Sequence, residues 1–252
     1  MDLNPCVILF LKAPEKGRVK TRLAASLGEE TVLDLYRCFV EDSIQTIAGG
    51  GYDMLISYDP PSAHPWISKW LGKRHPLLPQ SGGDLGERMQ NAFRTAFSRG
   101  CCAALIVGSD IPDLPSRFYG EAIAALRDHD AVIGPAHDGG YYLIGFRRER
   151  FLPDAFAGIS WNAPEVFTRT LVILENAGRR VHLLPPWRDV DTLEDLQALA
   201  LRNGDTSFSG SATMIRLRKA YGPTGVPEHS SGKTMREDRP DGSENFSVRT
   251  CS

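Results

Sequence analysis

A carboxylate closes the run Ala103-Ala104-Leu105-Ile106-Val107-Gly108-Ser109-Asp110-Ile111-Pro112, and its placement makes it the first candidate for chemistry. A short apolar run bounded by small residues and a proline reads as a fully buried strand of a parallel sheet. Ligands of open α/β sheets bind outside the carboxyl ends of the strands, so Asp110 would face a cleft. There it suits a hard cation that carries phosphates. The alternative is a plain cap for a helix starting near Pro115-Ser116. Gly108 and Ser109 are small enough for a ligand to approach the backbone, and Pro112 fixes the turn that follows.

Cations gather on the same edge. Lys12, Lys16, Arg18, Lys20 and Arg22 lie in a Pro/Gly-punctuated loop directly after a first apolar strand, Cys6 to Leu11. Such a loop can neutralise a di- or triphosphate, with arginine offering a bidentate fork. It is neither a Walker loop nor a Rossmann fingerprint, because the required glycines are absent. Further along, Gly82-Gly83 reads as a tight turn, and Asp84 as an N-cap answered by Glu87. Gly86 and Arg88 inside the first helical turn are better explained by backbone close to a ligand.

Asp138-Gly139-Gly140 carries hairpin-turn chemistry. Asp138 also follows His137, so a carboxylate and an imidazole lie together at a strand end, and either can hold a substrate hydroxyl or act as a base. Tyr141 and Tyr142 alternate, so at most one of them lines a cleft. Trp161 is either a packing anchor or a platform for a sugar ring. Asp189 and Asp191 aim the same way, an arrangement that is expensive unless exposed or bridged by a cation.

The elements that position these residues alternate. Strands are expected at 6–11, 52–58, 77–78, 103–108, 131–135, 141–146 and 180–184. Helices are expected at 29–48, 66–71, 84–100, 118–126 and 192–202, with another opening at Ser160 to Glu165 and holding Pro164 in its first turn. Thr192, answered by Asp195, caps the last of these. The pattern predicts one α/β domain over residues 1–204, a single doubly wound, mostly parallel sheet. Residues 205–252 are poor in hydrophobes and read as a disordered tail, with at most a brief helical turn from Met214 to Tyr221.

The 252 residues, 42% hydrophobic and 24% charged, are ordinary for a soluble globular chain. A formal net charge of -2 argues against nucleic acid as a partner. No apolar run approaches a membrane span. Five cysteines without metal or disulfide spacing fit a reducing cytoplasm.

Lys-Ala-Pro-x-x-Gly-x-Val-Lys-Thr-Arg-Leu at Lys12 to Leu23 resembles the opening loop of a bacterial group of candidate glycosyltransferases associated with arsenosugar and radical-SAM gene neighbourhoods. The resemblance continues through Asp84-Leu-Gly-Glu-Arg-Met89, Gly108-Ser-Asp-Ile-Pro112, Gly134-Pro135, Asp138-Gly-Gly-Tyr-Tyr-Leu-Ile-Gly145 and Asp189-Val-Asp-Thr192. The group is similar to nucleotide-diphospho-sugar transferases of GT-A fold, and more distantly to phospholactate and molybdenum-cofactor guanylyltransferases. It implies a nucleotide or nucleotide sugar bound by Lys12, Lys20, Arg22, Gly82, Gly83, Asp84, Gly86 and Arg88. A divalent cation, Mg or Mn, would be held by Asp110 with Asp191. A small-molecule acceptor would meet Asp138, Gly139, Tyr141 and Trp161, with Asp110 and Asp138 catalytic. A homo-oligomer is compatible with all of this. One departure stands out: the Asp-x-Asp common at the metal strand is here Ser109-Asp110-Ile111, with Asp113 further along.

The reading is a metal-dependent glycosyltransferase using a nucleoside-diphosphate sugar. Its rivals are a nucleotidyltransferase that releases pyrophosphate from a nucleoside triphosphate, and a nucleotide-binding partner protein without turnover.

Overall fold

In the computed structural model, which describes residues 4–226, the first strand is sealed on both faces. Every residue of β1 (Pro5–Lys12) from Cys6 to Leu11 is buried. Val7, Leu9 and Leu11 enter one core, and Cys6, Ile8 and Phe10 the other. Only a strand in the middle of a sheet covered on both sides is apolar on both faces. Helices α1 (Thr21–Leu27) and α2 (Glu29–Gly49) lead to β2 (Asp53–Asp59), α3 (His64–Leu71) to β3 (Leu77–Pro79), and α4 (Leu85–Ser98) to β4 (Ala103–Gly108). Then come α5 (Ser116–Ala125), the hairpin β5 (Ala131–Pro135) and β6 (Tyr141–Arg147), α6 (Val166–Asn176), β7 (Val181–Leu183), α7 (Leu193–Arg202) and α8 (Ala212–Tyr221).

The seven strands form one sheet in the order β3-β2-β1-β4-β6-β5-β7. All run parallel except β6, which is antiparallel to both of its neighbours. The chain winds outward from β1 through β2 to β3 and then returns to the other side of β1 with β4. The strand order therefore reverses between β1 and β4, where a crevice must open at the carboxyl edge. Among the described residues no helix is long and apolar enough to cross a membrane.

Two expectations need correction. Helix α6 begins at Val166, not around Pro164, because residues 160–165 are spent on turns such as Ala163 N–H to the Ser160 carbonyl. The folded part also continues past residue 204. Helix α8 lays Met214 and Leu217, both fully buried, on the core that α2 shares. The buried Asp42 of α2 accepts hydrogen bonds from the backbone N–H groups of Ala212 and Thr213 at 2.8 and 2.9 Å. Ser211 caps the helix through Met214 N–H. Average composition concealed a helix whose few apolar residues are spaced to share one face. The rest of the expected tail, residues 227–252, lies outside the described residues.

Candidate functional site

The carboxyl edge opens into a cleft of ≈ 1120 Å³ that spans the β1/β4 switch point. The loop after β1 contributes Lys12, Arg18, Lys20 and Arg22 to its walls, and the ends of β2 and β3 contribute Asp59 and Gln80. Beyond β4 lie Gly108 to Ile111. Asp138, Tyr141 and Tyr142 come from the hairpin, followed by Trp161 to Pro164 and by Asp189 and Asp191. Parallel strands put their last residues on one rim, so residues far apart in sequence meet there.

The centre of the rim is an ion triad. The ammonium of Lys20 donates to Asp110 Oδ1 at 2.9 Å and to Asp191 Oδ1 at 2.7 Å. Its side chain is 4% exposed, whereas the two carboxylates are 49% and 40% exposed. A backbone bond from Val190 N–H to the Asp110 carbonyl, 2.9 Å, brings the two acidic loops together. Burial pulls the Lys20 pKa down, but Asp110 and Asp191 outweigh it and hold it above the usual lysine value. Asp189, beside them, is pushed up to about 6 by burial and by the Asp191 and Asp138 carboxylates, against the opposing pull of Lys20.

The five cations of the first loop do not act together. Lys16 pairs with Glu30, Arg18 with Glu15, and Lys20 turns inward. Lys12 and Arg22 are exposed on the cleft without an ion pair among the described residues. Arg88 lines the cleft too, held 3.2 Å from Asp59.

The glycine turn serves the fold. Gly82 has φ 134°, and a β-carbon there would strike Glu87 Cβ at 2.7 Å. Asp84 caps α4 by accepting Glu87 N–H at 2.8 Å, and Glu87 accepts Gly83 N–H at 2.7 Å. None of Gly82, Gly83, Asp84 and Gly86 lines the cleft. Gly86 instead makes room for Trp161. Gly108, by contrast, borders the cleft, and a β-carbon there would meet no atom within 4 Å.

On the opposite wall, Asp138 is exposed and its Oδ1 accepts Gly140 N–H at 2.9 Å, closing the hairpin turn. Gly139 does not line the cleft. Its φ of 91° and a 1.9 Å approach of a hypothetical β-carbon to the Pro164 carbonyl oxygen explain the glycine. His137 is exposed and does not line the cleft. Tyr141 and Trp161 meet edge to face, centroids 6.5 Å apart. Tyr141 and Tyr142 do enter opposite cores, yet both border the cleft, because the start of β6 stands at its floor.

Asp113 is not available as a second ligand. It accepts from Arg202 at 2.7 and 3.0 Å, from Asn203 at 2.7 Å and from Trp187 at 3.2 Å. It clamps α7 to the loop after β4.

Three cleft residues were not singled out from the sequence. Tyr36 of α2 is buried under the switch point, where its hydroxyl shares a 2.9 Å bond with Ser109 Oγ and accepts Lys12 N–H at 3.0 Å. Burial, aided by Asp110, raises its pKa and keeps it protonated. In sequence it is one more apolar position on a helix face. Asp59 ends β2 opposite Lys12 in the register, and Gln80 follows β3. The strand-end logic that selects Asp110 selects both.

Comparison with known proteins agrees with this architecture. A crystal structure of a candidate nucleotide-diphospho-sugar transferase from Desulfovibrio desulfuricans G20 superposes with a TM-score of 0.85 at 41% identity, covering 88% of this chain and 97% of that one. The fold is therefore that of the nucleotide-diphospho-sugar transferases. The 4-diphosphocytidyl-2C-methyl-D-erythritol synthase of Anaerococcus prevotii DSM 20548 shares the fold alone, with a TM-score of 0.51, 12% identity, and coverage of 76% of this chain and 94% of that one. Residues 44–163 match the family described as an uncharacterized protein conserved in bacteria (DUF2064). The chain belongs to the bacterial family of the Desulfovibrio protein. No curated protein sequence matches it.

Proposed function

We propose that the chain is a metal-dependent glycosyltransferase that moves a sugar from a nucleoside-diphosphate sugar to a small-molecule acceptor. The observation that carries this is the rim itself: two free cations, Lys12 and Arg22, face the carboxylate pair Asp110 and Asp191 in one cleft at the switch point. Two free cations suit a diphosphate. A nucleotidyltransferase handling a triphosphate would gain from Lys16 and Arg18 of that loop as well, and these pair with Glu30 and Glu15 instead.

Among the described residues no group of three or more His, Cys, Asp or Glu side chains is arranged around one point. The donor chemistry nevertheless fits a hard divalent cation. Asp110 and Asp191 are oxygen donors open to the cleft, and the point between them already carries the positive charge of Lys20. Asp110 and Asp191 would hold Mg or Mn, which when bound neutralises charge on the departing phosphate. Lys12 and Arg22 bind the diphosphate and share that task. Gly108 leaves space for the donor above β4. Asp138, with its second oxygen free of the turn, accepts a hydrogen bond from the acceptor hydroxyl, and Tyr141 with Trp161 forms the apolar wall beside it.

Thermal shifts with Mn²⁺ or Mg²⁺ against nucleoside diphosphates, nucleotide sugars and triphosphates test this. A ligand at a hundred times its Kd adds about 2.7 kcal/mol. The expected result is metal-dependent stabilisation by one diphosphate and its sugar, lost in Asp110→Asn. A response to triphosphates alone, with pyrophosphate released, would assign nucleotidyl transfer. Binding with no turnover of any donor would leave a nucleotide-binding partner protein, and silence from every nucleotide would overturn all three.

A further inference from the structure

Lys20 is the one described non-glycine residue with a positive φ, 49° with ψ 46°. The left-handed region crowds the β-carbon of any L-residue, and such a conformation persists only where the surroundings over-determine it. Nothing in the local sequence demands it. Its carbonyl accepts Ala24 N–H to start α1, which an ordinary N-cap residue with extended backbone also does. What the kink achieves is to bury a long, charged side chain and deliver its ammonium between two carboxylates from loops 90 and 171 positions away.

We propose that the Lys20 ammonium holds the cation position between Asp110 and Asp191 and must leave it for a divalent cation to enter, so that metal and diphosphate load together. The inference rests on the metal-dependent reading above. An ammonium and a divalent cation repel each other at one point, and a cation bridging Asp110 and Asp191 where Lys20 now sits would take over the two Oδ1 atoms that hold its ammonium. The carboxylates stay put, since the Val190–Asp110 backbone bond and the Thr192–Asp195 capping box anchor their loops. Lys20 is the mobile partner, a point charge on a flexible four-carbon stem. Its removal leaves a buried ammonium without counter-ions unless an anion takes them over. A phosphate on the Lys12 and Arg22 side of the cleft supplies that anion. The bare metal thus pays to expel Lys20, whereas metal arriving with a diphosphate does not.

Mn²⁺ binding to the full chain, followed by the EPR signal of free Mn²⁺, tests the exchange. Wild type is expected to bind Mn²⁺ alone weakly, Lys20→Met at least tenfold more tightly, and Asp110→Asn not at all. Equal or weaker binding by Lys20→Met, with Asp110→Asn still defective, would overturn the exchange and leave the metal site standing. Equal binding by wild type and Asp110→Asn would overturn the metal reading itself. Should Lys20→Met fail to fold, acylation of wild-type Lys20 by an amine-reactive ester, read by mass spectrometry, decides the matter. Saturating Mn²⁺ should raise its rate severalfold, and inorganic pyrophosphate added beneath excess Mn²⁺ should lower it again. A rate indifferent to Mn²⁺ that binds through Asp110 refutes the exchange.

Discussion

The indole of Trp161 closes over the bare α-carbon of Gly86: a β-carbon on residue 86 would stand 2.7 Å from Trp161 Cζ2, and 2.8 Å from the Phe156 carbonyl oxygen. The glycine thus fixes the wall of the cleft from behind and does not itself line it. Trp161 also packs against Phe156, centroids 6.4 Å apart, so the wall is tied to the second core.

Gly86→Ala should therefore destabilise the protein. Overpacking costs about 1–3 kcal/mol, offset in part by the roughly 1 kcal/mol that alanine gains over glycine in a helix. Urea unfolding and indole fluorescence check both effects. A variant as stable as wild type with unchanged emission would show that the indole has room to spare.

Gly108→Leu separates binding from folding in the opposite direction. A side chain there meets open cleft, so the melting temperature should hold while nucleotide stabilisation disappears. Retained nucleotide shifts would mean that the donor lies elsewhere in the cleft.

Ending the chain after Gly204 removes α8. It exposes the face that Met214 and Leu217 cover, a loss of about 3–6 kcal/mol at 1.5–3 kcal/mol per side chain, and it strips the buried Asp42 of two N–H partners. Denaturant midpoints compare the truncated and full chains. No loss would show that α8 adds nothing to the fold.

Asp189 ties stability to pH. Folding raises its pKa from 3.8 to about 6, so the folded chain binds this proton more tightly than the unfolded one. By linkage, its contribution is favourable only at low pH and is lost as pH rises from about 4 to about 6. In metal-free buffer Asp189→Asn should melt above wild type at neutral pH, and the gap should close in acid. A gap that does not change with pH would place Asp189 in ordinary solvent.

These residues also mark what could be seen in advance. The alternation of strands and helices, the buried β1 and β4, and Asp110, Lys12, Arg22 and Asp191 on one rim all follow from local patterning plus the rule for strand ends. Gly86 and Gly139 misled because a glycine needed for packing against Trp161 or Pro164 looks the same, in sequence, as one that admits a ligand. Lys20 was expected on phosphate, and its inward turn depends on two carboxylates that only the fold brings near. Helix α8 was invisible to composition because its stability lies in its contact with α2.

The span between Lys20 and Asp191, 171 positions, has a kinetic meaning. The β5–β6 hairpin closes over residues 136–140 and can form within about 1–10 μs. It raises the Asp138 side of the cleft early. The triad needs β1, β4 and the segment after β7 all in register, and loop-closure entropy defers such long-range contacts. During refolding, helical circular dichroism should therefore recover before nucleotide binding does, which makes the site a reporter of the last parts of the chain to come together.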